Sequence, residues 1–194
     1  MIEESVFFSY KYYLFDLDNT LIDESQYLFA VYNKIAKDVL VDKDEFINLF
    51  LNEGRDKLFN KIIKRNKLPE TCLQDFLYTL RNIKLHHKLI IFSSIFDLLK
   101  KLTILNKNIL VVTNGNVNQQ KNKINQIDWQ GIENYIHFVF ADLIAPKPSV
   151  NLFNYLKKEY FLIEKETIMI GDSVTDEEFA RNSNISFHNV SSFF

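Results

Sequence analysis

Cys72 is the only cysteine among the 194 residues, so the chain forms no disulfide within itself and no thiolate metal cluster. A single thiol of this kind reads as a small apolar core residue. No apolar run approaches the roughly 18 to 20 residues that a membrane span needs. Charge of one sign is not set apart either: 23 Lys and Arg are interspersed with 25 Asp and Glu, for a net charge of -2. That balance argues against nucleic acid and anionic membranes as partners and in favour of a small soluble one. The opening "MIEESVFF" carries acids where a secretory leader needs a basic stretch, so the expected location is cytoplasmic. No internal repeat or low-complexity linker breaks the chain. Apolar residues, by contrast, are plentiful at 47%, enough for one domain with a sizeable core or a domain with a modest insertion. The 18 Phe and 9 Tyr are most simply core packing.

One stretch demands an explanation. "YYLFDLDNTLID", Tyr12 to Asp23, runs an apolar segment into two aspartates one residue apart. Burying a carboxylate costs several kcal/mol unless it is paired, and two close together repel. Side chains at i and i+2 of a strand share a side, so Asp16 and Asp18 can converge on one site while Leu17 turns into the core. A hard cation such as Mg²⁺ suits that site, because it takes carboxylates and keeps waters for a substrate phosphate. The competing reading is an Asx-type surface turn before a capped helix, formed by Asn19 and Thr20.

Three further apolar runs follow: "NILVVTNG" near Val111, "IHFVFADL" near Val139 and "TIMIGDS" near Met169. Continuous apolar runs mark strands covered on both faces, and the helical patterns at Phe96 to Leu105 and Val150 to Tyr160 complete βαβ units. The fold class read from this pattern is α/β, a doubly wound parallel sheet. Ligands of such sheets bind beyond the carboxyl ends of the strands. There the sequence places Asp16 and Asp18, then Thr113, Asn114 and Gly115, then Asp142, then Gly171, Asp172 and Ser173. The intervening residues up to Phe92 read as wholly helical, too long for one crossover. The expected organisation is a core of residues 1–22 and 91–194 with a helical cap subdomain, 23–90, over the strand ends.

In four motifs taken in order, the chain resembles the haloacid dehalogenase-like superfamily of hydrolases, most of which are phosphatases. They are Asp16-Leu17-Asp18-Asn19-Thr20, Thr113-Asn114-Gly115, Lys147 in "APKPS", and "GDSVTDEEFA" with Asp172 and Asp176. The resemblance implies a Rossmann-like core and an aspartyl-phosphate mechanism. In it Asp16 is the nucleophile and Asp18 the general acid and base, whose main-chain carbonyl also holds the metal. Asp172 is a metal ligand. Asp176 sits on a metal-bound water or pairs with Lys147, while Thr113, Asn114 and Lys147 hold the phosphoryl group. The chemistry requires such groups: a nucleophile, a proton for the leaving oxygen, and positive charge around the phosphoryl oxygens. Where the family usually has glycine, near Asn106 to Asn108 and near Asn184, asparagine tolerates the left-handed conformation. An aspartate at 18 argues against the dehalogenase branch.

The implied activity is Mg²⁺-dependent hydrolysis of a small phosphorylated metabolite, a sugar phosphate or nucleoside monophosphate, by a monomer or homodimer. Within the cap, "NEGRDKLF" offers a tight turn at Gly54, with Arg55 and Lys57 reaching toward substrate. The plainer reading pairs these two cations with Glu53 and Asp56 in solvent. His86 and His87 are adjacent, point apart and do not read as a metal pair. The alternatives are a phosphoryl-transferring mutase, a receiver-type signalling domain and a non-catalytic binding protein on the same fold.

Overall fold

The computed structural model describes residues 4–193, leaving outside it the first residues of the acidic N-terminal stretch and Phe194. A short helix α1 (Glu4–Phe7) precedes β1 (Tyr12–Phe15). Four helices then follow in succession: α2 (Ser25–Val39), α3 (Lys43–Glu53), α4 (Leu58–Arg65) and α5 (Cys72–Asn82). The chain returns through α6 (Ser93–Ile104), β2 (Asn108–Thr113), α7 (Val117–Ile124) and β3 (Ile136–Phe140). It ends with α8 (Val150–Tyr160), β4 (Thr167–Gly171), α9 (Val174–Asn182) and β5 (Ser186–Asn189).

The five strands form one parallel sheet in the order β3-β2-β1-β4-β5, with β1 in the middle. The β1 segment "YYLF" is buried on both sides, as a continuous apolar run requires. Tyr13 and Phe15 enter one hydrophobic cluster, Tyr12 and Leu14 the other. The second cluster is closed by Leu152, Phe153 and Leu156 of α8 and Phe179 and Ala180 of α9. The first continues without a break from the sheet into the four-helix segment, through Tyr27, Val31 and Ile35 of α2, Phe46 of α3 and Phe76 of α5.

Local sequence explains the helix starts. Asp42, Asn116 and Ser149 each cap a following helix by accepting a main-chain N–H. Asp23 does the same for Ser25 at the start of α2. Asn106 and Asn184 adopt φ of 51° and 54°, the left-handed backbone expected of them. The two connections to the helical segment run side by side: Ile22 and Ile91 form an antiparallel bridge, and the Phe92 N–H donates to the Leu21 carbonyl at 2.9 Å. No described helix is long and apolar enough to cross a membrane.

One strand departs from expectation. β5, "SFHN", is short and only partly buried, with polar residues at both ends, so it carries no apolar run to mark it.

Candidate active site

A parallel sheet aims every strand's carboxyl end at one edge, and register decides which residues meet there. Phe15 pairs with Ile170 on one side and Val111 on the other. Asp16 therefore emerges beside Gly171 and Asp172, with Thr113 two residues beyond the pairing on the opposite flank. Lys147 arrives in the loop before α8, and Asp176 from the first turn of α9.

Lys147 is the hub. Its side chain is 2% exposed, and its ammonium donates to Asp16 Oδ1 and Asp176 Oδ1, both at 2.6 Å. Burial alone would lower the lysine's pKa, but the two carboxylates outweigh it and hold the value above the ordinary one. Asp176 is fixed a second time by a capping box: the Ser173 main-chain N–H donates to its Oδ2 at 3.2 Å and Ser173 Oγ accepts from its main-chain N–H, while Ser173 Oγ also donates to Oδ2 at 2.6 Å. Burial pushes the Asp16 carboxyl up to about 7 against the pull of Lys147, with Asp176 and Asp18 adding repulsion.

Asp16, Asp172 and Asp176 each present a carboxylate oxygen within 4.8 Å of the others, a donor set suited to a hard cation. With Asp18 and Glu24, five carboxylates pair, among the described residues, with three cations, Lys147, Lys123 and Arg55. When all are ionised, two negative charges stay uncompensated, the charge of one divalent ion. Thr20 Oγ1 donates to Asp172 Oδ1 at 3.5 Å at the rim.

Asp18 faces the same cavity, of about 230 Å³, but its carboxylate stands outside the three-acid cluster. Lys123 Nζ donates to both its oxygens at 2.8 Å, and Gln120 Nε2 to Oδ2 at 3.0 Å. Glu24 accepts from Lys123 at 2.8 Å and from Arg55 at 2.5 Å. Burial first, then the Asp18 charge, raises the Glu24 carboxyl against the pull of Lys123 and Arg55.

The structure divides the expected substrate and phosphate groups. Thr113 and Asn114 line the cavity with Lys147. The Asn114 side chain, however, is committed to the Lys147 backbone: its Oδ1 accepts from the Lys147 N–H at 2.8 Å, and its Nδ2 donates to the Lys147 carbonyl at 2.9 Å. Arg55 lines the acid cavity, whereas Lys57 lines a separate cavity of about 400 Å³ with Leu28, Tyr32 and Phe59. Arg55 also borders that second cavity. Glu53 pairs with Lys61 and Arg65, not with Arg55 or Lys57, because Gly54 (φ 72°) turns the chain between them. His86 and His87 are exposed, and Asp142 ties a loop by accepting the Gly115 N–H. Glu24, Gln120 and Lys123 have no role assigned from the sequence, although Gln120 and Lys123 lie in the stretch "TNGNVNQQKNKI", which is similar to sugar-phosphate phosphatases and 5'-nucleotidases of the superfamily. A further hint is that Gln120 and Lys123 lie three residues apart, on a single helix face.

Carboxylates and a buried lysine gathered at the carboxyl edge of a doubly wound parallel sheet define a Rossmann-like α/β protein with a hydrolase-type acid site. The family follows: the model for haloacid dehalogenase-like hydrolases matches residues 13–190, and the chain belongs to that family. No curated protein matches it in sequence. Among solved structures, YfnB of Bacillus subtilis, described as a HAD-hydrolase bound to magnesium, is 21% identical. The match covers 92% of this chain and 87% of YfnB, with a TM-score of 0.69. A Thermotoga maritima protein described as a β-phosphoglucomutase is 14% identical over 92% of this chain and 84% of its own, with a TM-score of 0.72. CbbY of Rhodobacter sphaeroides, in complex with xylulose-(1,5)bisphosphate, is 14% identical over 93% and 85%, with a TM-score of 0.65. At these identities the likeness is one of fold.

Proposed function

We propose that this protein is a Mg²⁺-dependent phosphomonoester hydrolase that forms an aspartyl-phosphate on Asp16. Its substrate is a small phosphorylated metabolite, a sugar phosphate or a nucleoside monophosphate. The observation that carries the reading is the division of labour between the two neighbouring aspartates. Asp16 is gripped by Lys147 within the three-acid cluster, while Asp18 is held apart from it across the same cavity.

An Asp16 oxygen attacks phosphorus as the bond to the leaving oxygen breaks, and Asp18 gives that oxygen its proton. Water then attacks the phosphoryl group, Asp18 takes its proton, and phosphate departs with Asp16 restored. Lys147, the Thr113 hydroxyl and the Asn114 main-chain amide surround the phosphoryl oxygens. Asp16, Asp172 and Asp176, with the Asp18 main-chain carbonyl, would hold Mg²⁺. When bound, the ion supplies positive charge to the phosphoryl group and offsets the surplus of carboxylates. Residues 23–90 act as the cap that closes over the site and chooses the substrate, on a core of 1–22 and 91–194. Arg55 is the cap residue placed to meet it. Charge and composition favour a cytoplasmic setting.

Quenching turnover with borohydride should convert the aspartyl-phosphate to homoserine, and peptide mass spectrometry should place it at 16. Homoserine at 18, or a phosphoenzyme that persists in Asp16→Asn, overturns the roles. Hydrolysis that survives exhaustive chelation removes the metal from the mechanism.

A further inference from the structure

The inward face of α7 carries two polar residues beside the apolar Ile124, where a core-facing helix is normally apolar throughout. Gln120 and Lys123, one turn apart, are buried, and the Lys123 side chain is 0% exposed. None of the four motifs includes this lysine. Its ammonium makes three contacts at 2.8 Å, two to the Asp18 carboxylate and one to Glu24 Oε1. Gln120 Nε2 holds Asp18 Oδ2 at 3.0 Å and bridges it to Thr113 Oγ1 at 3.0 Å. Beyond Glu24 stands Arg55, from the turn between α3 and α4.

Fold stability does not demand this arrangement. Replacing a buried ion pair by apolar residues of similar volume is often neutral or stabilising, so a buried lysine between two carboxylates is weak evidence of a stabilising role. What the charged set provides is orientation. Asp18 lies just past the end of β1, where a bridge to Ile22 fixes its backbone but not its side chain, and a carboxylate so placed samples several rotamers unless it is held. Two donors from one helix fix both of its oxygens.

We propose that Lys123 is a positioning residue: with Gln120 it holds the Asp18 carboxylate toward the cavity, and through Glu24 it ties that orientation to Arg55. The inference rests on the phosphatase reading, in which Asp18 protonates the leaving oxygen. Displacing that group slows esters in proportion to how much their leaving oxygen needs a proton.

The experiment compares Lys123→Met with wild type on phenyl phosphate, whose phenolate leaves poorly, and on p-nitrophenyl phosphate, whose leaving oxygen needs little help. The parameter read is kcat/KM, which covers the steps through departure of the leaving group and so excludes later hydrolysis of the phosphoenzyme. A well-placed general acid contributes about 10²- to 10⁴-fold, so the loss on phenyl phosphate should exceed that on p-nitrophenyl phosphate by about tenfold or more. Glu24→Gln/Lys123→Met removes one charge of each sign, which keeps a folded protein available if the single variant is unstable, and it should show the same split. Equal losses on the two esters in the double variant, or no loss in either variant, overturn the inference. Wild-type protein inert toward both esters overturns the phosphatase reading and the inference with it. Active wild type with no split in the variants overturns the inference alone.

Discussion

Gly171→Ala is a one-carbon test of how the acid cluster is built. Gly171 closes β4, and its backbone is not left-handed, so alanine brings no backbone strain. The cost lies in what the methyl meets. A Cβ there would stand 2.5 Å from Asp176 Cγ and Oδ2 and 2.6 Å from its Cβ, against 3.4–4 Å for ordinary contact. The aspartate has to retreat by about 1 Å, and it has little room to do so. It is 1% exposed, gripped by Ser173 and Lys147, and rooted in the first turn of α9. Losing the cap costs about 0.5–2 kcal/mol and overpacking a core about 1–3, so the variant should lose roughly 2–4 kcal/mol. At this chain length that lowers Tm by about 5–15 °C. Thermal melts with and without Mg²⁺ supply the assay, and a Mg²⁺ titration of the folded variant should show weakened affinity, because one of three carboxylates has moved. A variant with wild-type Tm and wild-type Mg²⁺ affinity would refute the close packing of Gly171 on Asp176.

Other consequences concern charge. Lys147→Met should cost about 3–5 kcal/mol in urea unfolding, since it leaves Asp16 and Asp176 buried without a cation, and phosphatase activity should vanish with it. The Asp16 carboxyl rises in the fold from its ordinary value near 3.8 to about 7. Between those values the folded protein binds the extra proton, so metal-free stability should fall as pH rises from about 4 to about 7, then level off. Mg²⁺ competes with that proton, and its stabilising effect should grow across the same window. Melts at pH 5 to 8 whose Mg²⁺ increment stays flat would count against Asp16 as a ligand. Arg55→Ala should cost about 1–3 kcal/mol in kcat/KM on the true substrate and far less on a small aryl phosphate, and equal losses would assign Arg55 a folding role.

Much of this molecule is legible in its sequence where chemistry and periodicity coincide. The apolar runs ending at Phe15, Thr113, Phe140 and Gly171 mark four strands, and the polar residues after them mark the edge where Asp16, Lys147 and Asp176 meet. Asn106 and Asn184 show their left-handed backbone by residue type. What stays hidden depends on contacts distant in sequence. Nothing in "NQQKNKI" reveals that one lysine of the two is sealed, because its partners, Asp18 and Glu24, lie 105 and 99 residues away. The same holds for Asn114, which lines the cavity but whose side-chain oxygen and nitrogen are both used on the backbone of Lys147. Lys57 is close to Arg55 in sequence, yet it adopts φ 52° at the start of α4 and lines the other cavity. β5 escapes notice because an edge strand with one partner needs no apolar run.

The paired bonds between Asn114 and the Lys147 backbone join two loops 33 residues apart in the chain. Asn114 adjoins the Thr113 hydroxyl at the end of β2 and the other loop carries the ammonium, so the protein itself restrains how the two sit before anything enters. A frame of fixed spacing works as a gauge. On the phosphatase reading, the groups that would hold the phosphoryl oxygens are therefore in place before a substrate arrives, and the helical segment is left to discriminate among the molecules that carry it.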